Sequence, residues 1–109
     1  METNYRDEEP SRAEVDAMPG AVLVEFGADW CPHCQAIQSH LRTALARHPG
    51  VRHIKVADGK GKPLGRSFRV KLWPNLVFLR DGRLLQQSAR PEPAEVEAGL
   101  AAITGPSGA

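Results

Sequence analysis

A chain of 109 residues with 41% hydrophobic and 25% charged residues sits near the averages for a single globular domain, which excludes a fibrous or wholly disordered class. Its formal net charge of +1 gives no reason to expect a nucleic-acid partner, because counterion release needs a patch that neutralises several phosphates. No apolar run approaches the ~18 residues that span a bilayer, and a lone cysteine pair is no disulfide framework, so cysteine usage points to catalysis or metal binding instead.

Residues 1–10 are polar, acidic and aperiodic and read as a flexible arm. The start lacks a basic segment followed by an apolar one, so no secretory signal is expected and a cytoplasmic address follows. Ser11 with Glu14 three residues on has the form of a capping box, predicting a helix from Arg12 to Met18 before Pro19-Gly20 turns the chain. Ala21 to Phe26 is a short aliphatic and β-branched run with little alternation, as in a central strand covered on both faces. After Gly27-Ala28-Asp29, apolar residues at Ile37, Leu41, Ala44 and Leu45 keep helical spacing until Pro49-Gly50. Val51, Ile54 and Val56 mark a second strand, and Leu64, Phe68 and Val70 a short helix. The basic run Lys60, Lys62, Arg66, Arg69 and Lys71 reads as a solvated face.

Beyond Pro74, Asn75–Arg80 and Arg83–Ser88 flank Asp81-Gly82, a two-residue turn that closes antiparallel hairpins. Pro91 and Pro93 open a last helix with Ala94, Val96, Leu100 and Ile103 as its apolar set. One domain is expected over residues 11–103, with a flexible tail at 104–109. The order α-β-α-β-α-β-β-α demands a mixed sheet, with a right-handed crossover between parallel strands and a hairpin edge.

The chemistry lies in Trp30-Cys31-Pro32-His33-Cys34. Disulfide exchange needs an exposed, stabilised thiolate and a second thiol close enough to expel the mixed-disulfide partner. At a helix start, Cys31 would sit at the cap, where free N–H groups and the helix dipole favour its anion, with Cys34 one turn inside and more buried. Pro32 suits the first helical turn, and His33 adds a cationic or hydrogen-bonding group beside the thiolate. The competing reading, half of a structural zinc site, needs two more ligands. His40, His48 and His53 are the remaining good donors, His40 falls nearly opposite Cys34 on the helix, and no second Cys-x-x-Cys exists.

The run Val22-Leu23-Val24-Glu25-Phe26-Gly27-Ala28-Asp29-Trp30-Cys31-Pro32-His33-Cys34 resembles the active-site strand and motif of thioredoxins, and the spacing from Lys55 to Pro74 is similar to that family's without a gap. The resemblance implies an α/β thioredoxin-like fold, a central mixed sheet of about four strands flanked by helices, with the usual N-terminal strand missing. It implies a protein-disulfide oxidoreductase serving cell redox homeostasis, with Cys31 as attacking thiol and Cys34 as resolving thiol. Pro74 resembles the cis-proline that faces the disulfide and, with Trp73, helps bind the substrate chain. Trp30, Pro32 and His33 support the motif. Glu25 matches a buried acid, its pKa raised by desolvation, that exchanges a proton with Cys34, and Lys55 resembles its partner.

The same resemblance implies protein substrates carrying thiols or disulfides and, as electron donor, a thioredoxin reductase or glutathione. A monomer is expected, with no cofactor, metal, nucleic acid or membrane. Departures from the family pattern are Gly27 in place of an aromatic and Trp73 in place of a small or branched residue. Pro32-His33 resembles the dipeptide of periplasmic disulfide oxidases, whereas cytoplasmic thioredoxins carry Gly-Pro, so oxidant, reductant and isomerase all stay open. The alternative is a thioredoxin-fold binding or chaperone-like assembly module, its partner held at Trp73, Pro74 and the basic stretch, with incidental redox activity.

Overall fold

The computed structural model describes residues 4–105. Its elements are α1 Arg12–Asp16, β1 Ala21–Gly27, α2 Pro32–Ala46, β2 Arg52–Ala57, α3 Pro63–Ser67, β3 Asn75–Arg80, β4 Arg83–Ala89 and α4 Pro93–Thr104. The strands form a mixed sheet in the order β2-β1-β3-β4. β1 runs parallel to β2 with Glu25 opposite Lys55, and antiparallel to β3 with Glu25 opposite Leu76.

Local chemistry sets the element ends. Ser11 accepts from the Glu14 N–H at 3.0 Å while its own N–H donates to the Glu14 carboxylate at 2.9 Å, the reciprocal cap the sequence announces. The helix stops at Asp16 rather than Met18, because a residue preceding proline is pushed out of the helical region. Asp81 and Gly82 take φ of 51° and 80°, the left-handed pair a two-residue hairpin needs. A Cβ on Gly82 would run into the Asp16 carbonyl, so the turn also seats against α1. α3 is shorter than the sequence suggests: Phe68 is its C-cap, and Arg69 at φ 57° turns the chain so that Val70 lies outside the helix.

Alternation along β1 builds two cores. Val22, Val24 and Phe26 pack with Val15, Leu64 and Phe68 on the α1 and α3 side, and Leu23 packs with Leu41, Leu100 and Ile103 on the α2 and α4 side. Glu25 shares the face of Leu23 and is therefore carried into the protein under α2, fully buried. A solvent-facing strand-end acid is thereby excluded at this position.

The sequence reading of residues 1–10 as a flexible arm differs from what the structure shows for its described part. Arg6 forms a parallel bridge with Val56, donating to Lys55 O at 3.0 Å and accepting from Ala57 N at 2.9 Å. One bridge on the β2 edge thus stands where a fuller N-terminal strand was judged missing. Tyr5 is buried with its N–H on Asp29 Oδ1 at 3.0 Å. Burying one ring and pairing an otherwise open strand edge anchors a segment whose polarity suggested none. At the other end Thr104 belongs to α4 and Gly105 caps it. The rest of the expected tail, like residues 1–3, lies outside the described residues.

Candidate active site

β1 ends at Gly27 and the chain reaches Cys31, the N-cap of α2, in extended conformation at φ −77° and ψ 118°. Pro32 occupies the first turn, where its missing N–H costs nothing. Both cysteines are free thiols. Cys31 Sγ accepts from the Cys34 N–H at 3.4 Å, so the sulfur itself caps the helix. The expectation of an exposed attacking thiol needs correction: Cys31 is only 5% exposed, because Ala28, Cys34, Tyr5 and Trp73 pack around it. Cys34 is fully buried.

The two thiols are driven apart electrostatically. For Cys31, burial pushes the pKa up, but bonding to the Cys34 thiol, the backbone N–H groups of Cys34 and His33, and the charge of Arg90 outweigh it and hold the thiol below its ordinary value. Burial, then the hydrogen bond with Cys31, pushes Cys34 up to about 11. The His33 side chain is exposed; its residue reaches Cys31 through the backbone. The side-chain charge bearing on the thiolate is that of Arg90, which sequence reasoning missed.

Arg90 is placed by an unusual backbone. At φ 48°, its N–H donates to Pro74 O at 2.8 Å and its Nε to Trp73 O at 3.0 Å. The Trp73-Pro74 peptide bond is cis. Trp73 donates from Nε1 to Asp58 Oδ2 at 2.9 Å and meets Trp30 edge-on, ring centroids 5.7 Å apart. Trp30 is 72% exposed and forms the outer lip of the site beside the cysteines.

Beneath the pair lies a buried polar cluster. Glu25 Oε2 accepts from the Tyr5 hydroxyl and from Gln38 Nε2 at 2.9 Å, while Oε1 meets His53 Nε2 at 2.8 Å. Lys55 Nζ donates to Gln38 Oε1 at 2.8 Å and lies over the Tyr5 ring at 4.5 Å, so Gln38 bridges Lys55 to Glu25. Desolvation would raise the Glu25 pKa, the direction expected from sequence, yet the structure reverses it. The hydrogen bond and charge of His53, with bonds from Tyr5 and Gln38, favour the carboxylate more and hold Glu25 below the ordinary range. Gln38 and His53 were legible in principle, since Gln38 is one turn after Cys34 and His53 shares a strand face with Lys55. Tyr5 and Arg90 carried no such periodicity. Among the described residues, no group of three His, Cys, Asp or Glu is arranged to hold a metal ion.

A parallel-antiparallel sheet with a reduced Cys-x-x-Cys at a helix cap over a buried carboxylate defines a dithiol protein of the thioredoxin fold. Residues 3–102 match the Thioredoxin family model, and the chain belongs to the thioredoxin family, whose members are thiol:disulfide oxidoreductases. It is 49% identical to thioredoxin 2 from Pseudomonas aeruginosa PAO1 in its reduced form, with a TM-score of 0.82 over 94% of this chain and 96% of that one. It is 38% identical over 81 residues to protein disulfide-isomerase A2 of Pongo abelii, 71% of this chain and 15% of that protein. It is 27% identical over 79 residues to the mitochondrial thioredoxin-3 of Saccharomyces cerevisiae, 72% of this chain and 62% of that protein. The chain thus spans less than two thirds of the length of these curated relatives.

Proposed function

We propose that this chain exchanges disulfides with protein substrates through Cys31 and Cys34. The Cys31 thiolate attacks one substrate sulfur, forming a mixed disulfide and releasing the other sulfur as a thiolate that takes a proton from solvent. Cys34, on losing its proton, attacks Cys31 Sγ, closes the Cys31–Cys34 disulfide and expels the second substrate thiol. An electron pair passes to the substrate and is restored by a thioredoxin reductase or by glutathione. The placement of the Cys31 sulfur at the cap of α2, accepting from the Cys34 N–H with the Cys34 thiol one turn inside, carries this reading. Trp73, Pro74 and the exposed Trp30 line the approach for an extended substrate segment, the chain acts as a monomer, and a reducing compartment such as the cytoplasm keeps the pair in the dithiol form.

Insulin reduction with either electron donor tests this. Turnover should vanish in Cys31→Ser, and Cys34→Ser should accumulate mixed disulfides on Cys31. The exposed apolar rim of Trp30 and Leu72, 72% and 49% accessible, also favours a binding module. That reading gains if partner binding survives replacement of both cysteines while the wild type shows no turnover.

A further inference from the structure

The resolving step has a chemical requirement that the cysteine pair alone does not meet. Cys34 must lose a proton inside the protein, where its thiol is pushed up to about 11 and no water-exposed face remains to it. Glu25 is the nearby base, yet its Oε2 is occupied by the Tyr5 hydroxyl and Gln38, and Oε1 by His53. Tyr5 is the group that faces both. Its hydroxyl donates to Glu25 Oε2, and its ring packs in the same buried cluster as Cys34.

Gly27 shows how close the approach is. A Cβ there would sit 2.6 Å from Cys34 Sγ and 2.8 Å from both Cζ and the hydroxyl of Tyr5. The missing side chain at the end of β1 is the space that the phenol, arriving from the chain's start, has filled. A solvent-open cleft of about 260 Å3 comes up to Tyr5, Cys34, Gln38 and Lys55, yet it leaves Cys34 without measurable exposure.

We propose that Tyr5 is a catalytic residue, passing the Cys34 proton to Glu25 during resolution. The proposal rests on the reading of Cys31 and Cys34 as the exchange pair and adds a carrier to it. Cys34 S–H gives its proton to the Tyr5 oxygen as Tyr5 O–H gives its own to Glu25 Oε2. Tyr5 stays neutral, Glu25 becomes the carboxylic acid, and the Cys34 sulfur attacks Cys31 Sγ as its proton leaves, because a thiol pushed up to about 11 keeps no standing charge beside a carboxylate held below 4.5. Burial, the Glu25 charge and Cys34 all push the phenol pKa up, so both protons move together and no tyrosinate accumulates. When the disulfide is later reduced, the proton returns along the same path. Glu25 is held ionised beforehand by His53, a positioning residue in this step.

The test is single-turnover oxidation of the reduced protein by a disulfide peptide, quenched with acid and resolved by mass into mixed and intramolecular disulfide. In Tyr5→Phe, which keeps the ring in the Gly27 hollow, mixed-disulfide formation should proceed at the wild-type rate while its resolution slows about a hundredfold, the low side of what a positioned acid or base contributes. Tyr5 is the chain's single tyrosine, so protein grown on 3-fluorotyrosine alters this phenol alone even if Tyr5→Phe fails to fold. Its resolution rate should shift severalfold with the first step unchanged. Resolution at the wild-type rate in a folded Tyr5→Phe, or in the fluorinated protein where that variant does not fold, would overturn the proposal, and so would equal slowing of both steps. No exchange by the unmodified protein would instead overturn the assignment of the cysteine pair.

Discussion

At neutral pH an alkylating reagent should modify Cys31 long before Cys34. The thiolate is the reacting species, and each pH unit below a pKa lowers its fraction tenfold. Cys34 stands at about 11 and Cys31 below the ordinary 9.0, a separation of more than two units. Ionisation alone therefore favours Cys31 at least ~100-fold, before the complete burial of Cys34 slows the reagent further. Iodoacetamide under pseudo-first-order conditions, acid quench and peptide mapping by mass give both rates across a pH series. A rate ratio below about ten, or Cys34 labelled first, would refute the electrostatic assignment and with it the roles of the two thiols. The same profile isolates Arg90. An exposed charge couples by about 0.2–1 kcal/mol, so Arg90→Gln should slow Cys31 labelling below its pKa by at most about fivefold, and an unchanged profile would leave the thiolate to the Cys34 thiol and the backbone N–H groups.

Two further outcomes concern the ground beneath the pair. Glu25 is held below its ordinary 4.5, so its stabilising contribution is complete above that pH and is lost as acid carries the pH down through its folded value. Urea midpoints should fall for the wild type in that acid window and fall less for Glu25→Gln, whose resolution step should also slow at neutral pH. Gly27→Ala should cost about 1–3 kcal/mol by overpacking, read from denaturant midpoints, and should displace the Tyr5 ring, read as increased accessibility of Cys34 to alkylation.

The fold was legible wherever local rules and burial agree. The Ser11 cap, the Asp81-Gly82 turn, the β3 limits and the helix-cap placement of the cysteines all follow from short-range chemistry that the tertiary structure reinforces. What sequence could not supply was coupling across distance. Desolvation of Glu25 was implied by the resemblance to a buried acid, but its reversal depends on His53, Gln38 and Tyr5 converging from β2, α2 and the chain's start. Trp73 and Pro74 were placed beside the site by resemblance, whereas Arg90 is bound to them by a left-handed residue after β4 that no periodicity marks. Tyr5 lay hidden for a different reason: an acidic, aperiodic context says nothing of one ring with a vacancy to fill.

The departures from the family pattern acquire a physical meaning from these contacts. Whatever lowers the Cys31 pKa stabilises only the dithiol, because the thiolate does not exist in the disulfide, and so moves the couple toward the oxidising side. Of the contributors here, the N–H groups of His33 and Cys34 and the Cys34 thiol come with any Cys-x-x-Cys at a helix cap; Arg90 alone is particular to this chain's sequence beyond the motif. Its guanidinium is held on Trp73 O and its N–H on Pro74 O, so the residue that tunes the thiolate also braces the wall a substrate would follow. The Pro32-His33 dipeptide therefore carries its influence chiefly through backbone geometry. Below, His53, Tyr5 and Gln38 hold Glu25 as a carboxylate. Thiolate above and thiol below is the resting state this arrangement favours: the Cys34 thiol and the cap N–H groups, with Arg90 adding to them, ready the first attack, and Tyr5 serves the second.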